Sequence, residues 1–157
     1  MKFLTICLSL FAICCSLSCK RDKEVSGRTI TVDSMLLTRG PGYAPAGVYP
    51  KYYKLANGVV LKDTARHLAT DPINYNLTLP PSSVGIGNTV LSNVPARITA
   101  ENNYYYSNER MTDCGNFIVV VYYRNEKYTW TLADCYDGEK SIKDFVSLLN
   151  EAVNQFN

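Results

Sequence analysis

The chain has 157 residues, 46% of them hydrophobic and 19% charged, and its formal net charge is +2. That length suits one ordinary domain with enough chain to bury a core. Nothing in the near balance of charge favours a nucleic-acid partner, which would call for a strongly basic face.

Met1-Lys2 gives a short positive start, and Phe3 to Leu17 is almost wholly apolar or small. The run falls short of the roughly 20 apolar residues that a membrane-crossing helix needs, and its make-up describes a secretory signal. It ends in Ser16-Leu17-Ser18-Cys19, which resembles the bacterial lipobox: an aliphatic residue, small residues, then cysteine. In proteins with that motif the cysteine thiol is diacylated and the chain is cut just before it. The resemblance implies a lipoprotein signal peptide over residues 1–18 and a membrane partner reached through the lipid on Cys19. Cys15 is a poorer acceptor, because Ile13 and Cys14 precede it instead of small residues. No histidine or second cysteine pair lies near enough to make a metal site of this cluster.

Lys20-Arg21-Asp22-Lys23-Glu24, followed by Ser26 and Gly27, reads as a solvated tether over residues 19–27. It also resembles the short charged export signals beside the lipidated cysteine of Bacteroidota surface lipoproteins. The expected address is the outer membrane, with the periplasmic and cell-surface sides both open. Of the charged residues only Lys2 precedes the cut, so the mature chain carries 15 basic against 14 acidic residues. Cys7, Cys14 and Cys15 leave with the signal. Cys114 and Cys135 remain, and two cysteines in an oxidising compartment are expected to pair.

From residue 28 to residue 157 the chain reads as a single α+β domain. "TITVDSMLL" (29–37) is strand-like, and "TRGPGYAPAGVYP" (38–50) is a loop rich in glycine and proline. "YYKLANGVVLKD" (52–63) places Asn57-Gly58 between two strand-like runs, a strong hairpin signal. After Pro80-Pro81, Val84, Val90, Leu91 and Val94 suit a short helix ending near Pro95, with Gly85 and Gly87 weakening its start. "NFIVVVYYRNEKYTWTLADC" (116–135) is a second hairpin. A two-residue turn at Asn125-Glu126 would set Tyr123 opposite Tyr128, Val121 opposite Trp130 and Val119 opposite Leu132, all on one buried side. The same register puts Cys114 and Cys135 close enough for a diagonal disulfide. In "SIKDFVSLLNEAVNQF" (141–156), Ile142, Phe145, Val146, Leu149, Val153 and Phe156 recur at helical spacing, with Ser141 placed to cap the first turn. The expected architecture is an antiparallel sheet of four to five strands. Two hairpin-plus-helix units build it, and both helices pack on one face.

This layout resembles the emfourin-type protease inhibitors, small bacterial domains with an early strand, a glycine-rich turn, and a later hairpin followed by a C-terminal helix. The matching stretches are Thr38 to Gly47 and "GNFIVVVYYRNEKYTWTL" with its helix. The resemblance is one of pattern and implies protease inhibition without naming inhibitory residues.

Chemistry is sparse. His67 is the only histidine and lacks a nearby nucleophile or fixed carboxylate in sequence. No nucleophile elbow, metalloprotease helix or phosphate-binding glycine loop occurs. Asp113, Asp134, Asp137 and Glu139 flank the expected disulfide, but their spacing matches no known calcium loop. No catalytic residue, metal or cofactor is therefore expected, and the chain reads as no enzyme. Asp33-Ser34-Met35 and Asp63-Thr64-Ala65 resemble the O-glycosylation acceptor of exported Bacteroidota proteins, which implies Thr64 and Ser34 as acceptors. Asn76-Leu77-Thr78 fits an N-glycosylation sequon, whose machinery most bacteria with such a lipobox lack.

All 12 tyrosines lie in the mature chain, where they suit both strands and binding surfaces. Two functions follow. The first is a non-catalytic envelope lipoprotein that binds a protein partner, with protease inhibition one form of it. Its binding surfaces would be the Arg39 to Pro50 loop, with Tyr43 and Tyr49, and the Asn102 to Asn108 stretch. The second is a surface glycan-binding lipoprotein, with Tyr104 and Tyr106 offering ring faces to sugars while Tyr105 points away.

Overall fold

A computed structural model describes residues 27–40, 49–65, 72–107 and 114–157. Alternation of apolar and polar residues shapes the main sheet. In β2 (Ser34–Gly40), Met35 and Leu37 are buried while Leu36 and Thr38 face the other way. The same alternation runs through β3 (Lys51–Ala56), β8 (Asn116–Tyr123) and β9 (Glu126–Ala133). With β4 (Val59–Lys62), β5 (Leu77–Thr78) and β7 (Tyr104–Tyr106) these form one sheet of seven strands, ordered β5-β4-β3-β2-β8-β9-β7. Every pairing is antiparallel except β7 on β9. A separate ribbon joins β1 (Thr29–Ile30) to β6 (Val94–Pro95).

The sheet is thus larger than the expected four to five strands. The additions are short: β5 has two residues and β7 has three. The expected strand over residues 29–37 is also broken. Val32 N–H donates to Leu91 O at the end of the first helix, and Asp33 N–H donates to Tyr122 O, so the chain turns from ribbon to sheet between them.

Helix α1 (Pro81–Ser92) starts with proline at its first position, where a missing N–H costs nothing. Helix α2 (Lys140–Gln155) buries Ile142, Phe145, Val146, Leu149, Ala152 and Val153 at the expected spacing. These residues join Met35, Leu37, Tyr53, Leu55, Val60, Val119, Val121 and Trp130 in one core, so both helices cover one face of the sheet. Ser141 does not cap α2. The helix is preceded by Glu139, and the Ser141 hydroxyl donates to the Glu139 carboxylate at 2.7 Å. Among the described residues, no helix is long and apolar enough to cross a membrane.

The β8–β9 turn falls one residue earlier than expected, at Arg124-Asn125, with Tyr123 paired to Glu126. Of the two-residue turns that match strand twist, type I′ has positive φ at both central positions. Arg124 and Asn125 have φ of 52° and 66°. Asparagine adopts that region readily. Arg124 is held there by its N–H, which donates to the Asp33 carboxylate at 3.0 Å, and by its guanidinium, 5.0 Å from the Tyr123 ring centroid. Val121 therefore faces Tyr128, Val119 faces Trp130, and Phe117 faces Leu132. Each partner moves by two positions, so every side chain keeps its expected face.

Candidate functional site

The two ends of the sheet differ. At one end the strands are joined by tight turns, Asn57-Gly58 between β3 and β4 and Arg124-Asn125 between β8 and β9. Gly58 takes φ +77°, which a side chain would resist. At the other end lie three long connections: β2 to β3, β4 to β5, and β7 to β8. Residues 41–48, 66–71 and 108–113, within these connections, are outside the described residues. Tyr43, His67 and Asp113 fall among them.

The stems of all three connections are firmly built. Cys114 and Cys135 form a disulfide with Cα atoms 5.9 Å apart. The observed register explains it: extended by two positions beyond Asn116 and Ala133, it sets the two cysteines directly opposite each other. Asp134 N–H donates to Gly115 O at 3.0 Å and carries the ladder that far. The stem from β4 is clasped by Asp63, which is only 5% exposed. Its carboxylate accepts the Ala65 N–H at 2.8 Å and the Asn74 N–H at 2.5 Å. Beside it, the Asn76 side-chain oxygen accepts both the N–H and the hydroxyl of Thr64, each at 3.2 Å. Tyr75 is half-buried here. Burial, then the Asp63 charge, raises its phenol pKa.

On the β2–β3 stem, Arg39 pairs directly with Lys51 across the two strands. Arg39 bonds the Asp134 carboxylate at 3.5 Å and lies 5.6 Å from the Phe117 ring centroid. The Lys51 ammonium donates to the Asn157 side-chain oxygen at 2.7 Å, and the Tyr53 hydroxyl donates to the same oxygen at 3.2 Å. From β4, the Lys62 ammonium donates to Phe156 O at 3.3 Å. Partial burial and the charges of Lys62 and Arg39 pull the Lys51 pKa down. Burial pushes the Tyr53 phenol up to about 12.

Other expected sites change character. Tyr49 is exposed. Tyr104 and Tyr106 share a face, with ring centroids 4.6 Å apart, but only Tyr104 is exposed. Tyr106 is 6% exposed, packed edge-on against Trp130 and Tyr136, and its hydroxyl donates to the Glu101 carboxylate. It therefore offers no ring face to a sugar. Burial, the bond to Glu101 and that carboxylate's charge raise the Tyr106 pKa. Tyr105, on the opposite face, is exposed.

The acidic grouping is likewise dispersed. Asp134 pairs with Arg39, while Glu139 pairs with Arg97, which also bonds Glu101 at 2.5 Å. Burial acts against the Arg97 charge, but the bond to Glu101 and the charges of Tyr106, Glu101 and Glu139 together outweigh it, and its pKa rises. Asp137 is exposed. The nearest approach to a metal cluster among the described residues is Cys114, Asp134 and Cys135, whose two sulfurs are already joined to each other. Thr64 is exposed and Ser34 is half-buried within β2.

Sequence reasoning missed Lys51 and Lys62. Their proximity to Arg39 depends on which strands pair, and no motif announces it. The face of the sheet opposite the helices carries Leu36, Tyr52, Ile118, Val120 and Tyr122, and no described helix covers it. No protein-family model, curated protein or solved structure matches the chain.

Proposed function

We propose that this chain is a non-catalytic envelope lipoprotein that binds a protein partner through the loop end of its sheet. The observation that carries this reading is the convergence of three long connections at one end, on stems fixed by the Cys114–Cys135 disulfide and the Asp63 clasp. Loops held on rigid stems are where binding residues concentrate, because partial ordering beforehand reduces the entropy lost on association. The lipobox-like Ser16 to Cys19 supports a lipid anchor on Cys19, with the outer membrane as its address and residues 19–27 as the tether. Two hairpin-plus-helix units, β3–β4 with α1 and β8–β9 with α2, build the domain in the manner of the emfourin-type inhibitors, and protease inhibition is one form the binding takes. Thr64, exposed at the clasp, is the better O-glycosylation acceptor; Ser34 lies within a strand.

Affinity capture from the native envelope tests the reading. The wild-type protein should retain a partner that the Tyr43→Ala, Tyr49→Ala double variant loses, with thermal stability nearly unchanged. An identical captured set from both proteins would refute it. Glycan binding is the alternative, and it rests on the exposed rings of Tyr104 and Tyr105. Loss of sugar retention on Tyr104→Ala, with protein capture unaffected, would favour it. Cys19→Ala should abolish incorporation of labelled fatty acid, and continued labelling would remove the anchor from the proposal.

A further inference from the structure

We infer that Arg39, Lys51 and Lys62 form a docking site for an acidic segment of the partner. The inference rests on the reading of the loop end as a protein-binding surface and gives that partner a chemistry. Arg39 and Lys51 stand directly opposite each other on β2 and β3, on the face that the helices cover. Lys62 follows on β4, paired with Tyr53, two residues along β3 from Lys51. Like charges placed opposite each other in a sheet are destabilising. An acidic residue at position 51 would serve the fold better, since it would face Arg39. The bonds from Lys51 and Lys62 to the end of α2 account for a donor at each position, but not for the opposition of Lys51 to Arg39.

Among the described side chains, one carboxylate pairs with the three cations. Arg39 has Asp134 at 3.5 Å. Among the described residues, Lys51 reaches the neutral amide of Asn157, and Lys62 reaches the carbonyl of Phe156 and the Tyr53 ring, 5.8 Å from its centroid. Neither lysine pairs with a side-chain carboxylate among the described residues. The C-terminal end of α2 lies beside them, and its dipole supplies about half a negative charge. That offsets a fraction of two full positive charges. Burial is the main cause of the depressed Lys51 pKa, and the charges of Lys62 and Arg39 add to it.

The geometry favours an extended acidic segment. Neighbouring strands lie about 4.8 Å apart, so cations on β2, β3 and β4 form a line across the sheet and not a cage around one anion. Carboxylates repeated along an extended chain can meet such a line one after another. Position argues against the anchoring bilayer. Gly27, at the end of the tether, lines a cleft of about 520 Å³ with Lys140, Ser141 and Asp144 at the start of α2. The cations gather at the other end of that helix, about 24 Å away along its axis.

The test uses the purified protein in a neutral detergent and a fluorescent oligo-glutamate peptide as probe. The peptide should bind at low salt and release as salt rises. Lys51→Glu combined with Lys62→Glu should weaken binding by about tenfold or more, with the far-UV circular dichroism of the wild type retained and a lower unfolding midpoint, because both lysines bond the end of α2. Lys54→Glu combined with Lys127→Glu makes the same change of charge on the opposite face and should leave binding intact. Equal losses from both pairs, or no binding at low salt, would overturn the site. So would preferential binding to phosphatidylglycerol vesicles that depends on Lys51 and Lys62, which would make it a membrane contact. Because the probe is synthetic, its failure to bind counts against this site alone and not against capture of an envelope partner.

Discussion

Gly85 and Gly87 stand two positions apart in α1 and look alike in sequence. A Cβ built on Gly85 would meet nothing within 4 Å, whereas one on Gly87 would lie 2.6 Å from Val60 Cγ2. Replacing glycine by alanine within a helix gains about 0.8–1.0 kcal/mol of propensity. At Gly87 that gain is opposed by overpacking, which typically costs about 1–3 kcal/mol. Val60 is 1% exposed and β-branched, so its methyl has little room to swing aside. Gly85→Ala should therefore stabilise the domain by about 0.5–1 kcal/mol, while Gly87→Ala should destabilise it by about 1 kcal/mol. Denaturant unfolding of the two variants checks the pair, and equal stabilisation would show that α1 has slack against β4. The sequence flagged both glycines only as weak helix formers. Which one touches the sheet depends on packing, just as the nearness of Lys51 to Arg39 and Lys62 depends on strand order.

The β8–β9 hairpin marks the boundary of what local pattern reveals. Alternation identified both strands and their buried faces correctly, because faces depend only on the period of two. The turn was harder to locate. Of the candidate residues Arg124, Asn125, Glu126 and Lys127, only Asn125 favours positive φ, and it fits either the first or the second central position. Distant Asp33 bonds the Arg124 N–H in the structure, and no local pattern shows that contact. The short strands β5 and β7 were not legible for a related reason: two or three residues show no periodicity, and their pairing is long-range. The cysteine pair was legible from the count of cysteines and the expected compartment, and the observed register supplies its geometry. Removing the disulfide by Cys114→Ser and Cys135→Ser should cost about 2–4 kcal/mol, since it closes a loop with a sequence separation of 21. Denaturation with and without reductant should give the same loss in the wild type and none in the double variant. In the turn itself, Arg124→Asn with Asn125→Gly supplies the preferred pair for this geometry and should stabilise by about 0.5–1 kcal/mol. A drop in stability would mean that the Arg124 contact with Tyr123 outweighs backbone strain.

At the scale of the whole molecule, buried tyrosines hold the helix-covered face together at two places, and this gives the fold a defined alkaline limit. Tyr53 packs against Phe156 with ring centroids 5.2 Å apart and bonds Asn157, which fixes the end of α2 on β3. Tyr106 packs between Trp130 and Tyr136 and bonds Glu101, which fixes β7 and the segment before it. Burial raises the Tyr53 phenol from 10.0 to about 12. Burial, followed by the bond to Glu101, raises that of Tyr106 as well. The unfolded chain loses these protons at lower pH than the folded one does. The Tyr53 contribution to stability is therefore complete below about pH 10, the unfolded value, and is lost as pH rises from there toward 12, while that of Tyr106 begins to fall from the same pH. Tyrosinate absorbance should rise in two stages, a reversible one while far-UV circular dichroism is unchanged and a later one together with unfolding. Tyr53→Phe removes one of the two linked protons and should move the unfolding midpoint to higher pH. A variant midpoint unchanged from the wild type would show that Tyr53 is not linked to alkaline unfolding, and Tyr106 would then be the group that sets the limit.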